Sequence, residues 1–224
     1  MRRTHEQALE QLKRHRLVAI LRGVPMERVP GVVQALLDGG VRVLEFTFDH
    51  TGPEDVACNA EKIRYVTERY GDQLLVGCGT ALSVQEVEAA FEAGGQLAIM
   101  PNTDAAVIRR ARELDMVTMP GALTPTEVVA AWNAGADMVK LFPAGELGPR
   151  YIKAVRGPLS HIPLSAVGGV RPENVPDFLD AGICCFGVGG QLVLPEAVKS
   201  GDDQAIRDRA RAFTDAIAEW EKRQ

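Results

Sequence analysis

The chain has 224 residues, of which 46% are hydrophobic, 25% charged and 5% aromatic, a balance that supports one sizeable core and argues against disorder or a fibrous repeat. The formal net charge is −5, and basic residues are interleaved with acids, as in Arg109-Arg110-Ala111-Arg112-Glu113, so nucleic acid is excluded as a partner. No stretch approaches the ~18 to 20 continuous apolar residues of a membrane span, so a membrane is excluded as well.

In chain order, a basic start is followed by an amphipathic helix pattern near residues 4–15, where a secretory signal would carry an apolar core. The expectation is a protein that stays in the cytoplasm. Short apolar runs then recur at 17–21, 41–45, 74–77, 96–100, 116–119, 137–140, 163–167 and 183–187. Helix-start signals stand between them, at Ser83, at Thr124 and at Arg171-Pro172-Glu173, and a trailing helix is expected near 202–222. Cys58, Cys78, Cys184 and Cys185 show no Cys-x-x-Cys spacing and two are adjacent, so all four read as free thiols.

Four of these strands share a lead-in: the end of a helix, a glycine, then apolar residues. The glycine lets the helix stop in a left-handed turn and reverse into a strand. Eight strands alternating with helices imply parallel pairing and right-handed crossovers, hence an α/β chain forming one (β/α)8 TIM barrel over 1–224, with an extra N-terminal helix. An open doubly wound sheet is the rival, but no Gly-x-Gly-x-x-Gly loop follows the first strand. Alignment on Gly40, Gly95, Gly135 and Gly182 sets Glu45, Met100, Lys140 and Gly187 at matching heights on alternate strands.

Two of those four residues are ionisable. A lysine and a glutamate at the ends of apolar strands are costly to bury unless they pair or do chemistry. They could close the barrel as an ion pair. Alternatively, burial lowers the Lys140 pKa, so that its neutral amine attacks a ketone, and Glu45 moves protons beside it. Strands seven and eight end in Val167-Gly168-Gly169-Val170 and Gly187-Val188-Gly189-Gly190. Glycines there bring backbone N–H groups up to an anion, the usual position of a barrel phosphate site, so a phosphorylated substrate is expected. Arg22, closing the first strand, can grip a carboxylate or phosphate, and Thr80 can hydrogen-bond a carboxylate.

With those residues in view, the chain resembles the 2-keto-3-deoxy-6-phosphogluconate (KDPG) and 4-hydroxy-2-oxoglutarate (KHG) aldolases, a family that includes the 6-phosphogalactonate aldolases. The similarity runs from Val18-Ala19-Ile20-Leu21-Arg22-Gly23 to Gly187-Val188-Gly189-Gly190. Its most specific pieces are Val139-Lys140-Leu141-Phe142-Pro143-Ala144, Leu147-Gly148-Pro149-Arg150-Tyr151, Pro120-Gly121 and Gly79-Thr80. The resemblance implies class I aldol chemistry on a 2-keto acid, with Lys140 as the Schiff-base lysine and Glu45 as the proton carrier. Arg22, Thr80, Pro101, Phe142, Gly168, Gly169, Gly189 and Gly190 are then substrate-binding. It also implies a homotrimer that works without metal or cofactor.

The sequence departs from that pattern at three places. Asp49 stands where some relatives carry an arginine, Asn102 follows Met100-Pro101, and Gln191 replaces a serine after the last glycines. An anion at position 49 would repel a carboxylate or phosphate. Two other readings remain: a metal-dependent barrel aldolase or epimerase using Glu45, Asp49 and His50, and a non-catalytic sugar-phosphate-binding homologue.

Overall fold

A reciprocal cap sets the first helix. The Gln7 N–H donates to the Thr4 hydroxyl at 3.3 Å, and the Thr4 N–H donates to the Gln7 side chain at 3.0 Å. The resulting helix, α1 (His5–His15), buries Ala8 and Leu12. These data come from a computed structural model that describes residues 2–52 and 54–224.

Nine parallel strands follow: β1 (Leu17–Leu21), β2 (Val43–Thr47), β3 (Leu75–Gly79), β4 (Leu97–Ile99), β5 (Val117–Met119), β6 (Gly121–Ala122), β7 (Val139–Leu141), β8 (Leu164–Val167) and β9 (Cys185–Val188). β1 pairs with both β2 and β9, and each further neighbour pairs in turn. The one step without a ladder lies between β5 and β6, which are consecutive halves of a single segment. Pro120, which has no N–H to give, stands between them. Eight staves thus enclose a nearly closed barrel.

Around it lie α2 (Val29–Asp38), α3 (Asp55–Tyr70), α4 (Val84–Glu92), α5 (Ala105–Glu113), α6 (Pro125–Asn133), α7 (Ala144–Arg156), α8 (Val175–Asp180), α9 (Pro195–Ser200) and α10 (Asp203–Glu221). Ser83 and Thr124 begin α4 and α6 with capping boxes closed by Glu86 and Glu127. The Arg171-Pro172 signal opens a 3-10 turn, Pro172–Asn174, before α8.

Two apolar clusters hold these layers together. The inner one joins Val18, Val43, Leu75, Leu97 and Val117, at or near the starts of their strands, to Ala8 and Leu12 of α1. Helix α1 therefore stoppers the amino-terminal end of the barrel, and side chains near the opposite end are left for chemistry. The outer cluster lies between strands and helices.

The glycine alignment needs one correction. The left-handed residues are Gly40 (φ 91°), Gly94 (94°), Gly135 (106°) and Gly182 (93°), so Gly94 and not Gly95 is the structural equivalent. Moving the ruler by one residue moves the side chain to the other face of the strand. Ile99 accordingly points into the barrel, while Met100 is buried in the outer cluster. All four cysteines are free. Among the described residues, no helix is long and apolar enough to cross a membrane.

Candidate active site

Glu45 and Lys140 come from β2 and β7 and line one pocket of about 290 Å³ at the carboxyl ends of the strands. They are 2% and 6% exposed, the extent of desolvation that governs their chemistry. Burial holds the Lys140 amine below the usual lysine range and Arg22 adds to this, whereas Glu45 opposes it. Burial likewise pushes the Glu45 carboxyl up to about 7, against the pull of Lys140 and Arg22. Both groups are thus drawn toward their neutral forms.

The pair does not close the barrel as an ion pair. Glu45 Oε2 is buried without a protein hydrogen-bond partner, and among the described residues no salt bridge joins it to Lys140. A buried carboxyl oxygen left unsatisfied is expensive, and it persists where a substrate or water completes the site. Glycine makes room for it, because a Cβ on Gly79 would collide with the Glu45 carboxyl. Ser165, fully buried and in register with Lys140 on β8, also has an unpartnered hydroxyl.

The walls are built from loops that follow the strands. Arg22 Nη2 donates to Thr80 Oγ1 at 3.4 Å, joining the ends of β1 and β3 into one polar edge. The Phe142 ring, 42% exposed, has its centroid 5.1 Å from Lys140 Nζ and shields the amine from one side. Beside that ring, Gly168 (φ 87°) and Gly169 (φ 71°) adopt left-handed backbone that only glycine takes without strain. The Gly145 N–H donates to Gly168 O at 2.8 Å, and a Cβ on Gly145 would strike Gly169, so α7 is locked against this turn. The N–H groups of Gly169, Val170, Gly190 and Gln191 meet no backbone carbonyl among the described residues, leaving donors for an anion.

The pocket thus brings together Lys140, Glu45, Arg22, Thr80, Pro101, Phe142, Gly168, Gly169, Gly189 and Gly190. Ile20, Val167 and Gln191 line it too. Sequence reading passed over Ile20 and Val167 as candidates, although their inward phase on β1 and β8 could have shown them. Gly145 and Gly79 were missed as space-makers, because only packing reveals what a Cβ would hit.

The concern over Asp49 is not met. Asp49 lies outside the pocket, fully exposed, and accepts hydrogen bonds from the Thr51 N–H at 2.9 Å and the Thr51 hydroxyl at 2.6 Å. Those bonds hold its carboxyl below the usual range. Asn102 is also outside the pocket lining. His50 Nε2 lies 2.9 Å from Glu86 Oε1 and Asp49 is held by Thr51, so neither converges with Glu45 as a ligand set. Among the described residues, no group of three or more His, Cys, Asp or Glu side chains converges for a metal.

A barrel mouth holding a neutral-leaning amine, a raised carboxyl and a cradle of anion donors is the equipment of a class I aldolase, a lyase. Residues 9–209 match the KDPG and KHG aldolase family. The chain is 40% identical over 197 residues to a probable 2-dehydro-3-deoxy-6-phosphogalactonate aldolase of Rhizobium meliloti, covering 88% of each chain. It is 39% identical over 177 residues to the 2-dehydro-3-deoxy-6-phosphogalactonate aldolase of Escherichia coli, covering 79% of this chain and 83% of that one. A native KDPGal structure superposes with a TM-score of 0.82 at 36% identity, covering 92% of this chain and 96% of the other. The chain belongs to the KDPG and KHG aldolase family.

Proposed function

We propose that this chain, as one barrel domain, cleaves 2-dehydro-3-deoxy-6-phosphogalactonate or a close 2-keto-3-deoxy phosphosugar acid to pyruvate and glyceraldehyde 3-phosphate. Lys140 is the nucleophile and Glu45 the proton carrier. The single observation that carries this reading is the buried Lys140–Glu45 pair without an ion pair, its carboxyl oxygen unsatisfied. The 39% and 40% identities to 6-phosphogalactonate aldolases support the substrate.

The neutral Lys140 amine adds to the C2 ketone, and loss of water gives an iminium. The Glu45 carboxylate takes the C4 hydroxyl proton. The C3–C4 bond then breaks, its electron pair passes into the iminium to form an enamine, and the aldehyde leaves. Glu45 returns the proton to C3, and hydrolysis of the new iminium frees pyruvate and the amine. Arg22 and Thr80 hold the carboxylate, Pro101 and Phe142 flank the reacting carbons, and the glycine pairs hold the phosphate. No cofactor is required. The family resemblance and three large apolar side chains exposed on mouth loops, Leu82, Leu123 and Phe142, support a homotrimer. The four free thiols support the cytoplasm as its compartment.

Pyruvate release from a panel of phosphorylated and unphosphorylated 2-keto-3-deoxy acids and 4-hydroxy-2-oxoglutarate tests this reading. Lys140→Ala is expected to abolish release from every member while the protein stays folded, and Glu45→Gln to lower kcat by about 10²- to 10⁴-fold. Full activity in the lysine variant would refute the mechanism.

A further inference from the structure

Gln191 lines the pocket immediately after the Gly189-Gly190 pair, and an arginine from α10 reaches it from outside. Arg209 Nε donates to the Gln191 main-chain oxygen at 2.8 Å, and Nη2 donates to its side-chain oxygen Oε1 at 3.4 Å. The third guanidinium nitrogen, Nη1, stands 3.9 Å from Glu173 Oε1, on the turn that follows Gly168-Gly169. The Phe213 ring supports the guanidinium at 5.4 Å. One side chain therefore spans both lips of the glycine cradle.

An arginine can only donate hydrogen bonds. Its hold on Oε1 decides which end of the carboxamide faces the guanidinium, and leaves the NH2 group of this pocket-lining residue, two donors and no acceptor, without that partner. A carboxamide free to flip would present its oxygen as readily, and an acceptor repels a phosphate.

We propose that Arg209 is a positioning residue that sets Gln191 as a donor to the distal phosphate, and that this pair helps the enzyme select phosphorylated over unphosphorylated sugar acids. The inference rests on the Lys140-dependent cleavage proposed above. In Arg209→Met, the stem keeps its packing on Phe213 and the donors are lost. The expected result is a rise of about tenfold in KM for the phosphorylated substrate, against a much smaller change for its unphosphorylated counterpart, with the loss in KM rather than kcat. Gln191→Ala should do the same, the double variant should be no worse than Gln191→Ala alone, and Arg209→Lys should recover part of the loss. Inorganic phosphate, used as a competitor, should bind Arg209→Met about tenfold more weakly than the native enzyme. Equal KM changes for both substrates, additive losses in the double variant, or unchanged phosphate affinity would each overturn the inference. Pyruvate carries no phosphate, so trapping it on the native enzyme with borohydride reads Lys140 alone. Trapping together with unchanged phosphate affinity in Arg209→Met overturns this inference only, whereas no trapping overturns both.

Discussion

Glu45 is buried without a protein hydrogen-bond partner for Oε2, and its protonation reports the consequence. Its ordinary value is 4.5 and its folded value is about 7, so between these limits the folded chain holds a proton that the unfolded chain has released. The penalty of burying the charge is absent below that window, grows as pH rises through it, and is fully present above about 7. The site thus destabilises the fold at the pH where its carboxylate is useful, a trade common at catalytic positions. In the proposed mechanism cleavage needs that carboxylate as a base toward the C4 hydroxyl. The kcat/KM for the phosphorylated substrate should therefore rise with pH through about 7, and Glu45→Gln should lose this limb; a pH–rate profile checks both. An unchanged limb in the glutamine variant would assign it to another group.

At the level of elements, α1 fills the end of the barrel remote from the chemistry. Leu12 is fully buried among the strand starts, and nothing else on α1 except Ala8 is buried with it. Leu12→Ala should destabilise the protein by roughly 2–5 kcal/mol, seen as a lower urea midpoint, while the pocket residues keep their positions. Much at this scale was legible in the sequence because it depends on short-range chemistry. Ser83 with Glu86 and Thr124 with Glu127 announce their helices three residues ahead, and the eight apolar runs match the eight staves. What misled was local degeneracy. Gly94 and Gly95 are the same residue type, and only the backbone angle tells which one turns, so counting from Gly95 points Met100 inward, a direction that belongs to Ile99.

For the whole molecule, residues spread from position 20 to position 191 meet in one mouth. The barrel makes this readable, since a residue at a strand's carboxyl end has few other places to go. Asp49 shows the limit. Its proximity in sequence to Glu45 suggested a charge in the pocket, but the chain has already turned and Thr51 holds the carboxylate outside. Contacts between distant segments, such as Arg209 with Gln191 and Gly145 with Gly169, leave no trace in any local pattern. The account as a whole stands on the Lys140 amine, which burial keeps below the usual lysine range so that it can attack a ketone. The most direct measurement is mass spectrometry of the native protein and Lys140→Ala after borohydride reduction in the presence of pyruvate. The account predicts one reduced pyruvyl adduct, on the peptide carrying Lys140, and none in the variant; an unmodified native protein, or an adduct on a different lysine, would contradict it.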